Sequence, residues 1–291
     1  MEKEPLIRKI EDFISKTGYP FEQRVAHMLR ENGWTVFSPV EYRIPPDQLR
    51  ELDILCYKII NRRRVELRIS CKQSIDKHWI FFTEKNNYLR FGSELKFTPV
   101  QQDIDLYRSI PYQLKDLLLF RYDRRVTNFT AFSAKKQDEA RMLIKDGIYS
   151  ALNSVYLTLY PLDLTVDQRG TIYFFVTLFN GLMFESYYEP ECNQNKLNEI
   201  EYTQWRTEYQ LDGKFKEILN FDGSYVPFNE IKYNFSEHFV VEIVQWNYFE
   251  QYLHHIEALF SSLDDTIINL FGKPYESEFF SEASLGKQVL R

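Results

Sequence analysis

The run from Arg50 to Ser74 constrains this chain more than any other stretch. An apolar, β-branched arm, Ile54-Leu-Cys-Tyr-Lys-Ile-Ile60, leads through Asn61-Arg-Arg-Arg64 into Val65-Glu-Leu-Arg-Ile-Ser-Cys-Lys72. The second arm alternates strictly, so Val65, Leu67, Ile69 and Cys71 fall on one face and Glu66, Arg68, Ser70 and Lys72 on the other. Two strands joined by a tight turn are expected. With Arg62-Arg63 as the two-residue loop, Asn61 faces Arg64, Cys56 faces Ile69 and Asp53 faces Lys72. Opposed side chains share a face, so Asp53, Ser70 and Lys72 point one way. Ile54, Cys56, Ile69 and Cys71 then form the core face. A slip of one residue would bury Asp53 among apolar groups, which burial opposes.

An acid and a lysine on neighbouring strands can be a cross-strand ion pair on a solvated sheet face, worth at most about 1 kcal/mol. They can also be a metal-binding carboxylate with a lysine that orients or activates a water. A third element bears on the choice. In Pro20-Phe-Glu-Gln-Arg-Val-Ala-His-Met-Leu29, proline suits a first helical position. Glu22, Val25, Ala26 and Leu29 then share one helical stripe. A carboxylate on a core-facing stripe needs a partner or a metal. Pairing with an arginine or a capping role would also satisfy it.

A helix carrying Glu22, a strand carrying Asp53 and a strand reading Ile69-Ser-Cys-Lys72 together resemble the PD-(D/E)XK nuclease superfamily, the fold of many restriction endonucleases. The wider run to Phe82, in which a Cys-Lys strand leads into the Trp79-containing strand, is similar to bacterial restriction-endonuclease-like proteins. The resemblance covers roughly residues 17–82. It implies an α/β fold, a mixed β-sheet core flanked by helices, here with large insertions. It also implies hydrolysis of DNA phosphodiester bonds with Mg²⁺ or Mn²⁺. By the same resemblance Asp53 and position 70 hold the metal, Lys72 positions the attacking water, and Glu22 supports the site or ligates the metal.

Position 70 departs from the family, which usually has an acid there; this chain has Ser70. Three explanations stand open. The acid role has moved to Glu66, although that residue lies about 13 Å away along a strand. Glu22 and Asp53, with Gln73 or a backbone carbonyl, make a weaker metal site. Or the site is inactive, and the chain is a catalytically inactive binding or scaffold subunit.

Aromatic residues are abundant in the 291-residue chain, with 24 Phe and 20 Tyr, and 44% of residues are hydrophobic. That is enough for a full core in one domain, residues 1–291, with a second lobe at about 165–271 as the alternative. The net charge of −6 counts mildly against a nucleic-acid partner, unless a local basic groove acts within an acidic chain. Arg50, Arg62, Arg63, Arg64 and Gln73 are the candidate nucleic-acid contacts; a solvated hairpin tip is the bland alternative for the arginines. Cys56, Cys71 and Cys192 show no metal spacing and fit a reducing cytoplasm. No signal peptide or membrane-spanning run is evident. A homodimer is compatible with cutting both strands of a duplex, and a partner subunit is equally compatible.

Along the chain, a short amphipathic helix is expected at 4–16, then the Glu22 helix ending at Asn32-Gly33. One strand from Trp34 to Ile44 and a connector at 47–50 lead into the hairpin. Helices are expected at 101–120 and 133–160, the latter capped by Ser133, with Lys135, Lys136 and Arg141 near its start. A buried strand over 170–179 should turn at Asn180-Gly181 and return through Leu182–Tyr188. Turns are expected at Asp212-Gly213 and Asp222-Gly223. A buried strand over 239–244 and an amphipathic helix over 249–260 follow, then a loosely held tail from Gly272. His254 and His255 in that last helix lack a companion ligand motif and are surface residues.

Overall fold

The structure, a computed structural model, describes residues 3–15, 17–44, 48–74, 76–85, 124–133, 137–154, 157, 171–207, 217–219, 225–227 and 239–262. Two helices open the chain, α1 (Lys3–Ser15) and α2 (Tyr19–Glu31), and Gly33 at φ 76° ends the second with a left-handed step. Then come β1 (Thr35–Phe37), β2 (Val40–Ile44), β3 (Gln48–Leu52), β4 (Ile54–Ile60), β5 (Arg63–Gln73), β6 (Lys77–Lys85) and β7 (Arg124–Ser133). Helix α3 (Gln137–Asn153) precedes β8 (Thr171–Asn180), β9 (Met183–Glu189), β10 (Gln194–Ile200) and β11 (Tyr202–Thr207). The short β12 (Glu217–Leu219) and β13 (Tyr225–Pro227) pair with each other; β14 (Phe239–Gln245), a 3-10 turn at Trp246–Tyr248 and α4 (Phe249–Ser262) close the described chain.

The protein is mixed α/β. A six-stranded sheet runs in the order β1-β4-β5-β8-β14-β11. Strand β4 is antiparallel to β1 and β5, β8 is parallel to both β5 and β14, and β11 is antiparallel to β14. Strand β8 is buried on both faces, as the unbroken run Tyr173–Phe179 dictates. Phe174, Val176 and Leu178 meet α2 and α4 on one side, through Phe21, Val25, Leu29, Tyr252 and Ile256. Tyr173, Phe175 and Phe179 meet α3 and a second sheet, ordered β10-β9-β6-β7, on the other. Trp79 of β6 stacks on Phe179 with ring centroids 3.9 Å apart.

The hairpin differs in register from the expectation. Its loop is Asn61-Arg62, both at positive φ (48° and 61°), the conformation that two-residue hairpin loops favour. Ile60 therefore faces Arg63 and Cys56 faces Leu67, and continuation of the register sets Asp53 against Ser70 rather than Lys72. The shift is two residues, so every side chain keeps its expected face. Ile54, Cys56, Ile69 and Cys71 all lie in the core.

The opposite face of β5 is not solvated. Arg64, Glu66, Arg68 and Ser70 are buried. Glu66 accepts from Arg64 through Oε2 at 2.8 Å and from Arg68 through Oε1 at 2.9 Å. Arg64 stacks on Tyr57 (3.8 Å to the ring centroid) and Arg68 lies over Tyr173 (4.6 Å). Arg68 also donates to the carbonyl of Ser154, at the end of α3. Burial would raise the Glu66 carboxyl, but Arg68 and Arg64 together hold it below the ordinary carboxylate value.

Several expected boundaries move. The Trp34–Ile44 strand is two, β1 and β2, in different sheets, and the connector before the hairpin is β3, paired with β2. Ser133 is the last residue of β7, and the described part of α3 begins at Gln137. Asn180-Gly181 is not a hairpin turn: β8 and β9 belong to different sheets. Residues 171–245 supply β8, β11 and β14 to the same sheet as β4 and β5. Lys135, Lys136, the expected helix at 101–120, the turns near 212 and 222, and the tail from 272 lie outside the described residues. His254 is exposed and His255 half-buried, where Tyr248 meets its ring.

Removing Glu66 strands two buried guanidinium groups, so Glu66→Ala should cost about 3–5 kcal/mol in urea unfolding at pH 7. A carboxyl held low stabilises the fold above its ordinary value of 4.5 and stops doing so as pH falls through its folded value. The gap between parent and variant should therefore narrow on acidification. A loss below about 1 kcal/mol, the scale of exposed pairs, would show that the arginines are satisfied without Glu66.

Candidate active site

Asp53 sits between β3 and β4, at the end of the central sheet where β5 delivers Ser70 to Lys72. Its carbonyl accepts from Ser38 Oγ at 2.9 Å. Its carboxylate Oδ2 accepts the backbone N–H of Cys71 at 2.6 Å, lies 3.4 Å from Ser70 Oγ and 3.9 Å from Lys72 Nζ. Both Asp53 and Lys72 are largely buried. A Cβ added to Gly147 of α3 would meet Thr177 Cγ2 at 2.7 Å and Lys72 Cγ at 3.2 Å. Glycine there is what lets α3 close over the lysine stem.

Glu22 arrives from α2. Phe21, Val25, Ala26 and Leu29 anchor that helix on the sheet, and Glu22 is half-buried at the margin of the stripe. Its carboxyl is pushed up to about 7, first by burial, then by the charges of Asp53 and Glu51, with Lys72 opposing. Three carboxylates and one ammonium thus share one field. Glu51, on the exposed side of β3, was not a candidate from sequence. The available signal was its position two residues before Asp53, which strand periodicity places on the same side.

The other candidates separate. Ser70 is fully buried and turned to Asp53, so it holds that carboxylate instead of offering a free ligand oxygen. Glu66 is committed to its two arginines. Arg63 and Arg64 are buried and Arg62 is at the hairpin tip, about 30 Å along β5 from Lys72. The expected arginine cluster around the site is therefore an artefact of reading distance along the sequence. Arg50 is exposed on β3. Gln73 is half-buried beside the site, its side-chain oxygen 3.4 Å from Asn180 Nδ2. The Cys71 thiol is raised well above its usual value by burial, then by Asp53 and Glu22, so it stays protonated and packs as core.

Among the described residues, no three His, Cys, Asp or Glu side chains converge closely enough to hold a metal ion by themselves. The site does fit a cation of the kind that binds one or two carboxylates and keeps its waters, as Mg²⁺ does. Glu22 and Asp53 are those carboxylates, and their mutual repulsion is what a divalent cation would relieve. Comparison with protein-family models, curated proteins and solved structures returned no match for the chain.

A carboxyl whose folded value lies above its ordinary 4.5 loses stability for the fold as pH rises through the interval up to about 7. In EDTA, Glu22→Gln should therefore raise Tm at pH 8, and the gain should shrink as pH is lowered towards 5. An equal or lower Tm for the variant at pH 8 would mean that Glu22 is not electrostatically frustrated.

Proposed function

We propose that this chain is a metal-dependent endonuclease with a restriction-endonuclease-like core, hydrolysing DNA phosphodiester bonds. The observation that carries the proposal is the meeting of Glu22 from α2, Asp53 from the bend between β3 and β4, and Lys72 from β5, at one end of a mixed sheet. The core order of α2, β1, β4, β5, α3 and β8 supports it, with β8 added parallel to β5. So does the half-buried Glu22, whose carboxyl value of about 7 suits exchange of a proton near neutral pH.

Glu22 and Asp53 would hold Mg²⁺ or Mn²⁺. When bound, such a cation would supply neutralisation of phosphate charge and a more acidic water. Asp53 is kept in place for this by the Cys71 N–H and the Ser70 hydroxyl. Lys72, its stem fixed beneath Gly147, presents an ammonium that orients the attacking water and steadies negative charge on the phosphate. Hydrolysis adds the water oxygen to phosphorus, breaks the bond to the leaving sugar oxygen and returns a proton to it. Such an enzyme would work in the cytoplasm, consistent with three free cysteines, as a homodimer or with a partner subunit, and in defence against foreign DNA. Among the described residues no helix is long and apolar enough to cross a membrane.

One observation favours a second reading. Ser70 brings no charge and its hydroxyl serves Asp53, which suits a nuclease-fold subunit that binds or scaffolds without cutting. The two readings divide on one assay, supercoiled plasmid with Mg²⁺ or Mn²⁺ and an EDTA control. Lys72→Ala and Asp53→Ala should each lower cleavage by at least about 100-fold. Cutting by both variants at the parental rate would remove the site. If the parent is silent and folded Ser70→Glu cuts, the missing acid alone blocks catalysis and the second reading holds.

A further inference from the structure

Strands β5, β8 and β14 run in the same direction, and their carboxyl ends enclose a cavity of about 250 Å³. The crevice outside the carboxyl ends of parallel strands is where open α/β sheets bind ligands. Its walls include Gln73, Asn180, Gln245, Asn247, His78 and Trp246. Gln73 and Asn180 are register partners at the ends of β5 and β8. Gln245 ends β14 and donates from Nε2 to the carbonyl of Gly181 at 2.9 Å, which fixes that wall to the loop after β8.

Four of these six groups are primary amides, and among the described residues the lining holds no Asp, Glu, Lys or Arg. Such a lining suits a ligand that presents a donor and an acceptor side by side. Asn and Gln make that bidentate contact with a base edge. The volume lies just under the range of about 300–1,000 Å³ for drug-sized ligands, which admits a single heterocycle. Trp246 supplies an aromatic wall, and base stacking on aromatic side chains is the usual sequence-tolerant anchor. His78 lies against the rings of Phe132 and Phe184.

The cavity also has the right neighbours. Gln73 directly follows Lys72. Trp246 packs edge-on against Phe21 at 5.4 Å, and Phe21 precedes Glu22 on α2. From Asp53 to Asn180 is two strand spacings across and three residues along β8, about 14 Å.

We infer that this cavity is a nucleobase-binding subsite, which takes one unpaired base of a nucleic-acid strand lying across the Asp53–Lys72 site. The inference rests on the nuclease reading for the strand's path, and on the cavity alone for the base. A base in this cavity is out of its stack, so the preferred substrate is single-stranded or has an extruded nucleotide.

The experiment titrates the protein, in EDTA, into a single-stranded oligodeoxynucleotide carrying one 2-aminopurine, with the same label in a duplex and as a free nucleoside beside it. The single strand should show saturable quenching, with duplex affinity at least about tenfold weaker. Asn247→Ala, at an exposed position, and Gln73→Leu should each weaken the single strand by about tenfold. No quenching with any probe, equal quenching by duplex, or parental affinity in both variants overturns the inference. Quenching by the nucleoside but not by the strand overturns the strand assignment. The readout needs neither metal nor cleavage. A protein that binds the base and never cuts DNA upholds this subsite while the catalytic reading falls.

Discussion

The central constraint on this fold is that β5 is buried on both faces although one of them is charged. Glu66 makes that arrangement stable. A carboxylate that accepts from Arg64 and Arg68 converts a face that would be expelled to water into one that packs under α3. Continuum arguments give such a buried network little net stability over apolar residues. Its value here is positional. Arg64 stacks on Tyr57 of β4, Arg68 lies over Tyr173 of β8 and donates to Ser154 after α3. One set of polar contacts therefore keys β4, β8 and α3 to a single register of β5. That register determines where Ser70, Cys71 and Lys72 emerge at the sheet end.

The faces of the hairpin were legible in the sequence because side-chain alternation is local. Asp53, Ser70 and Lys72 share one side, and the apolar set of four is core, whichever of the two loops closes the hairpin. The register was less legible, because Asn61-Arg-Arg-Arg64 offers two adjacent two-residue loops. Asparagine tolerates the left-handed region better than arginine, which favours the loop the structure adopts, although Arg62 must still follow it there. The burial of the charged face was not legible. Alternating charge has the same pattern whether it meets water or a helix, and only partners distant in sequence, Tyr173 and Ser154, distinguish the cases. The same holds for β1 and β2. Trp34 to Ile44 is continuous in hydropathy, yet Ser38 and Pro39 pass the chain from one sheet to another. Asn180-Gly181 likewise has hairpin composition but serves a sheet-to-sheet crossing, and Gly181 is needed there because a Cβ would lie 2.5 Å from Phe179 and 2.7 Å from the Ser74 carbonyl.

At the site, the sequence identified the residues at the sheet end and misjudged those whose proximity depends on strand length. Glu22, Asp53 and Lys72 come together, while Arg62 to Arg64, equally near in the sequence, lie at the far end of β5. Glu51 entered only through the geometry, because β3 was unrecognised as a strand. Serine at position 70 changes the electrostatic balance in a definite way. A carboxylate there would add a third negative charge beside Asp53, in a place already enclosed by β8 and α3. With serine, the enclosed position carries a hydroxyl that Asp53 can use, and the excess negative charge is displaced outward to Glu22 and Glu51, nearer to water.

Topology explains why the carboxylates and the amide-lined cavity share one end of the sheet. Strand β8 joins β5 in parallel, so the chain between them must cross over, and α3 lies on that path. Parallel addition brings the carboxyl ends of β5, β8 and β14 to the same edge, where their last residues, Gln73, Asn180 and Gln245, no longer have ladder partners on every side. An antiparallel β8 would have put its first residue beside Gln73 and closed that edge with a turn. The crossover does the reverse. It opens a crevice between strand ends, and the adjoining antiparallel β4 delivers Asp53 to the same edge from the other side. The cavity and the charged site are thus two consequences of one topological choice, with Gln73 and Asn180 three residues beyond the level of Asp53.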